Sequence, residues 1–192
     1  MNVILDLDET LISTHRLSKF TKTNYKHANM FHYKRMDDKY IVIARPGLDE
    51  FLDWLFSRYT VSVWTAASQP YAMFVVENFI MSKPNRVPLH VFSSKHCDFS
   101  EKVGSCHKDL RILFKIFPEY YNKDNTIIID DHANVHDSQK TNSYHIPPFL
   151  FLDPQSYKDK HLENVRRFLH KYMRSSKPHK QPKYTTQYTL NF

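Results

Sequence analysis

Short apolar runs that stop abruptly at a polar residue restrict the fold of this chain more than any other feature. VIL ends before Asp6, YIVIA before Arg45, TVSVW before Thr65, LHVF before Ser93, TIII before Asp130 and PFLFL before Asp153. Apolar runs of this length predict strands buried on both faces. Between them the spacing becomes helical. Leu48, Phe51, Leu52, Leu55 and Phe56 share one helix face, and Ala72, Val75, Val76, Phe79 and Ile80 share another. Ser68 is placed to cap the second helix, and Pro70 suits its first turn. Further helices are predicted over 107–117 and 157–173. Strands alternating with helices predict an α/β fold with a mostly parallel central sheet covered by helices.

A chain of 192 residues is long enough for one domain with a substantial core. The formal charge of +7 is unevenly placed. Residues 13–39 hold Arg16, Lys19, Lys22, Lys26, Lys34, Arg35 and Lys39 against Asp37 and Asp38, and 174–192 add Arg174, Lys177, Lys180 and Lys183 with no acid. The remainder is slightly acidic, so the basic character belongs to an insert and a tail. That placement suggests an acidic or phosphorylated partner, or nucleic acid bound through insert or tail. The insert shows no clear period, and 175–192 reads as a flexible basic tail beyond a domain of 1–174.

No window carries the apolar length of a membrane span, and the N-terminus has no signal-peptide pattern. An intracellular protein of nucleus or cytoplasm, without membrane partners, is expected. Cys97 and Cys106 are too few for a disulfide scaffold and read as reduced thiols. His132, His136 and His145 lack the fixed spacing of a metal site and read as loop histidines. Two glycines argue against a glycine-rich phosphate loop, so side chains, helix ends and metal must hold any phosphate.

In an open parallel sheet, reactive groups belong at the carboxyl ends of the strands. Asp6 and Asp8 follow one run, Thr65 a second, and Asp130 and Asp131 a third. Brought together, four carboxylates repel one another unless a hard divalent cation, expected to be Mg²⁺, offsets them. Lys108 is the candidate positive side chain. These parts suit phosphoryl transfer, with Asp6 as nucleophile and Asp8 as the acid that protonates the leaving oxygen and then deprotonates water.

With these residues in place, the chain resembles the haloacid-dehalogenase (HAD) superfamily, and within it the phosphatases acting on the C-terminal domain (CTD) of RNA polymerase II, including the NLI-interacting-factor-like group. DLDETL, RPGLDEFL (45–52), VWTAASQPYA (63–72), KDL (108–110) and IIIDD (127–131) carry the resemblance over most of 1–173. It implies a Rossmann-like HAD fold with a short insert after the first motif. It also implies Mg²⁺ held by Asp6, the main-chain oxygen of Asp8, Asp130 and Asp131, and phosphate bound by Thr65 and Lys108. The expected activity is hydrolysis of phosphoserine or phosphothreonine in a protein such as the polymerase CTD. Tyr71 falls where small members place an aromatic of their substrate pocket. Two departures stand out: Asp130, Asp131, His132 and Ala133 replace Asp-Asn-Ser-Pro, and Ser93 stands where arginine is expected.

Two other functions fit parts of the sequence. A nucleic-acid 3′-phosphatase would use the basic insert and tail, and a catalytically idle module would hold phosphorylated partners. RPGLDEFL and the intact acids favour the protein phosphatase.

Overall fold

Along the first apolar run, side chains alternate between two faces, and both faces are buried: Val3 and Leu5 join one core, Ile4 the other. The computed structural model describes residues 1–175. In chain order it contains β1 (Asn2–Leu5), β2 (Ile12–Arg16), α1 (Lys22–Ala28), β3 (Tyr33–Met36), β4 (Tyr40–Ala44), α2 (Leu48–Phe56) and β5 (Thr60–Trp64). There follow α3 (Gln69–Val75), β6 (Val91–Phe92), α4 (Ser94–Val103), α5 (Leu110–Ile116), β7 (Thr126–Asp130), α6 (Ala133–Ser138), β8 (Ser143–His145) and α7 (His161–Ser175). A π-helical segment, Val76–Ile80, continues α3.

The central sheet has five strands in the order β6-β5-β1-β7-β8, and every pairing in it is parallel. Helices α2, α3 and α7 cover the face of Val3, Leu5, Val61, Val63, Ile127 and Ile129. The other face, with Ile4, Trp64 and Ile128, packs against Cys97, Leu110, Leu113 and Val135 of α4, α5 and α6. From β1 the chain order runs outward to β5 on one side and β7 on the other. A crevice therefore opens at the carboxyl end of β1, where such sheets place their ligands.

Four expectations change. YIVIA is a strand, but it forms the middle of a separate antiparallel sheet, β2-β4-β3. The insert is ordered around it, contributing β2, α1 and β3. Its strands are polar because the sheet buries chiefly its middle strand, so the sequence shows no apolar period. PFLFL is no strand: Phe149 and Phe151 fill a small core with Ala28, Ile41 and Ile43, while Leu150 and Leu152 stay exposed. LHVF contributes only Val91–Phe92. The expected tail lies outside the described residues apart from Ser175. No helix among the described residues is long and apolar enough to cross a membrane.

Candidate active site

Leu5 pairs with Val63 on one side and Ile129 on the other, so the residues after all three strands emerge side by side. Asp6 begins a tight turn with its N–H donating to Ile129 O at 3.0 Å. Leu11 N and Ile12 N both donate to Leu7 O, at 2.8 and 3.1 Å, and Glu9 takes a left-handed conformation (φ 59°). The turn lets Asp6 and Asp8 face the same crevice.

Lys108 is the electrostatic hub. Its Nζ donates to Asp6 Oδ1 at 2.5 Å and to Asp130 Oδ2 at 2.8 Å, with all three side chains nearly inaccessible. Burial works against the ammonium, but Asp6 and Asp130 outweigh it and raise its pKa. Gln139 was not foreseen, yet it fixes the lysine backbone: its Nε2 donates to Lys108 O at 2.8 Å, and its Oε1 accepts Leu110 N–H at 3.0 Å. Asp109 caps α5, accepting Arg111 N–H at 3.0 Å.

Thr65 is buried at the end of β5, and its Oγ1 accepts Ala67 N–H at 3.1 Å. That bond uses a lone pair and leaves the hydroxyl proton available to an anion. Asp130 Oδ1 accepts His132 N–H at 2.8 Å. Thr10 Oγ1 donates to Asp131 Oδ1 at 3.2 Å, a tether between DLDETL and IIIDD that sequence reasoning missed.

One oxygen from each of Asp6, Asp130 and Asp131 lies within 4.8 Å of the others. Burial, partly offset by Lys108 and reinforced by Asp130, pushes the Asp6 carboxyl up to about 8. A single lysine therefore does not balance the cluster. Among the described residues, no hydrogen bond engages Asp6 Oδ2 or Asp131 Oδ2. Hard oxygen donors in negative excess fit Mg²⁺, which favours carboxylates and keeps several waters.

The Asp8 side chain stands outside this cluster. Tyr71 OH donates to Asp8 Oδ1, and the same hydroxyl lies 2.5 Å from Thr14 Oγ1 on β2. Burial raises the Asp8 pKa, with the Tyr71 hydrogen bond and Lys108 opposing it. Burial and the Asp8 charge raise the Tyr71 pKa, so the phenol keeps its proton. The residue expected in a substrate pocket is thus hydrogen-bonded to the expected acid/base. Thr14 gave no signal in the sequence.

Arg45 reaches the DLDETL turn. Its Nη1 donates to Thr10 O at 2.9 Å, and Nη2 donates to Pro147 O at 2.7 Å. Among the described residues no histidine joins the Asp6, Asp130 and Asp131 group, although His145 Nε2 lies 2.8 Å from Asp131 O and the His107 and His132 rings meet edge to face.

Residues 1–179 match the family model of the NLI interacting factor-like phosphatases. The chain is 36% identical over 179 residues to a CTD phosphatase-like protein, 355R, of Invertebrate iridescent virus 6, covering 90% of this chain and 98% of that one. A 355R protein of Invertebrate iridescent virus 3 is 36% identical over 178 residues, covering 87% and 94%. Among solved structures, the fold is similar to fission yeast Fcp1, an RNA polymerase II CTD phosphatase, bound to beryllium fluoride. The TM-score is 0.55 at 18% identity, over 91% of this chain. The chain spans half the length of that Fcp1 chain. The near full-length matches, the parallel sheet and the convergence of the motifs at one sheet edge agree, and the chain belongs to the NLI interacting factor-like, CTD-phosphatase-like family of HAD-fold phosphatases.

Proposed function

We propose that this protein is a Mg²⁺-dependent phosphoprotein phosphatase that hydrolyses phosphoserine or phosphothreonine through an aspartyl phosphate on Asp6, with residues 1–174 as the catalytic domain. The observation that carries the reading is the buried bridge of Lys108 Nζ to both Asp6 and Asp130. It sets a fixed positive charge beside a carboxylate at the switch point of the sheet, where a phosphoryl group can be attacked and its oxygens neutralised.

The Asp6 carboxylate attacks phosphorus; an oxygen–phosphorus bond forms to Asp6 as the bond to the serine or threonine oxygen breaks. Asp8 gives its proton to that leaving oxygen. Asp8 then takes a proton from water as the water attacks phosphorus, releasing phosphate and free Asp6. Lys108 and Thr65 hold the non-reacting phosphoryl oxygens, and Tyr71 steadies Asp8. Asp6, Asp130, Asp131 and the Asp8 main-chain oxygen would hold Mg²⁺, which when bound would supply positive charge to keep Asp6 ionised and neutralise the transferred group.

The names of the viral relatives support a protein substrate of the polymerase CTD type, encountered in nucleus or cytoplasm. The test is hydrolysis of an aryl phosphate by wild type and Asp6→Asn, each with Mg²⁺ and with a chelator. Activity that requires both Asp6 and Mg²⁺ is expected. Equal activity in Asp6→Asn removes the nucleophile, and no activity from folded, Mg²⁺-loaded wild type sinks the phosphatase reading.

A further inference from the structure

The antiparallel sheet of the insert has two unlike faces. Ser13, Ile43 and Tyr33 share one face with His15, Ile41 and Arg35, and its apolar members pack on Phe149 and Phe151. The opposite face carries Thr14 beside Val42 and Lys34, then Arg16 beside Tyr40 and Met36. Its inner end is core, with Ile12, Val42 and Ala44 buried. Arg16 on its outer rung and Lys34 on the rung of Thr14 and Val42 are exposed, and Tyr40 and Met36 beside them on the outer rung are half-buried. Among the described residues, neither Arg16 nor Lys34 forms a salt bridge.

This face is continuous with the candidate active site, because Thr14 touches Tyr71 OH and Tyr71 OH donates to Asp8. Arg16 lies two residues beyond Thr14 on the same strand, a step of about 7 Å, and Lys34 lies two strands across, about 9.5 Å away. An extended peptide advances about 3.4 Å per residue. A phosphoryl group two or three residues from one seated at Asp6 spans about 7–10 Å, comparable to the offsets of these cations from Thr14, whose hydroxyl is joined to Asp8 through Tyr71 OH. Asp37 and Asp38 form the turn beyond Met36, with Lys39. The centre itself is rich in carboxylates, so cations outside it are needed to admit a substrate with extra negative charge.

We propose that Arg16 and Lys34 form a second phosphate subsite, which selects peptides carrying another phosphorylated residue two or three positions from the scissile one. Tyr40 and Met36 form its apolar floor. The proposal rests on Asp6 being the seat of the scissile phosphate.

The test measures fluorescence anisotropy of labelled peptides on the full chain bearing Asp6→Asn, with Mg²⁺. One peptide carries a single phosphoserine, and a second carries two, three residues apart. The second phosphate is expected to tighten binding about tenfold at low ionic strength, with the gain shrinking as salt rises. In the same protein with Arg16→Gln and Lys34→Gln the gain falls to twofold or less, while an unchanged melting temperature shows that the fold persists. No gain, or an equal gain in the substituted protein, overturns the subsite. Tighter binding of a single-stranded oligonucleotide, released by the same substitutions, also overturns it and assigns the face to nucleic acid. Failure of the wild type to hydrolyse aryl phosphate would sink the phosphatase reading separately, because the binding comparison needs no turnover.

Discussion

Arg45 grips Asp159 through two parallel hydrogen bonds, Nε to Oδ1 at 2.9 Å and Nη2 to Oδ2 at 2.8 Å, across 114 residues of chain. The guanidinium is fully buried, and the carboxylate is nearly so. Because Arg45 also holds Thr10 O and Pro147 O, the pair ties the turn bearing Asp6 and Asp8 to the loop that leads into α7. Removing one partner leaves the other charged and buried. Arg45→Ala is expected to cost about 3–5 kcal/mol in urea denaturation. Asp159→Asn, which keeps hydrogen-bonding atoms but loses the charge, is expected to cost less.

Tyr71→Phe removes the hydroxyl that steadies Asp8 and leaves the ring packed. Turnover of a phosphoserine peptide, whose leaving alkoxide needs a proton, is expected to fall about tenfold. Hydrolysis of 4-nitrophenyl phosphate, whose leaving group departs unprotonated, is expected to fall less. An equal loss on both substrates removes Tyr71 from the acid/base step.

Asp131→Asn removes one charge from the cluster. The Mg²⁺ concentration for half-maximal activity is expected to rise at least tenfold. Binding to the folded state alone raises stability, so Mg²⁺ should raise the wild-type melting temperature. In Asp131→Asn that rise should shrink at the same Mg²⁺ concentration.

Hydrogen bonds from Arg111 hold the Asp109 carboxyl down at about 2, against its burial and with help from Ser105 N–H. An unfolded aspartate titrates near ~3.9. The folded value is the lower one, so this stabilisation is complete above about pH 4 and disappears as pH falls through about 2. Asp109→Asn keeps a capping oxygen and loses the titration. Between pH 4 and about pH 2 its melting temperature is expected to fall less steeply than that of wild type.

The strands of the central sheet were legible because they are buried on both faces, which forces continuous apolar runs and abrupt polar ends. The motif acids were legible for the same reason: strands that pair in parallel bring their following residues to one edge. That Asp6, Asp8, Thr65, Lys108, Asp130 and Asp131 meet at one sheet edge could thus be read from chain order and residue type, as could the helices over Leu48–Phe56 and Gln69–Val75.

Tertiary structure alone decided the rest. Strands β2 and β3 are mostly polar and only partly buried, so composition hides their pairing, while the same apolar pattern made PFLFL resemble a strand although its phenylalanines only fill a local core. Thr14 meets Tyr71 across 57 residues, Tyr71 meets Asp8 across 63, and Thr10 meets Asp131 across 121. A hydroxyl has no periodicity and finds its partner only once the backbone is placed. Residue type and burial pattern determined the sheet and the acids; distance in space assigned Tyr71 to Asp8 and set the basic face of the insert beside them.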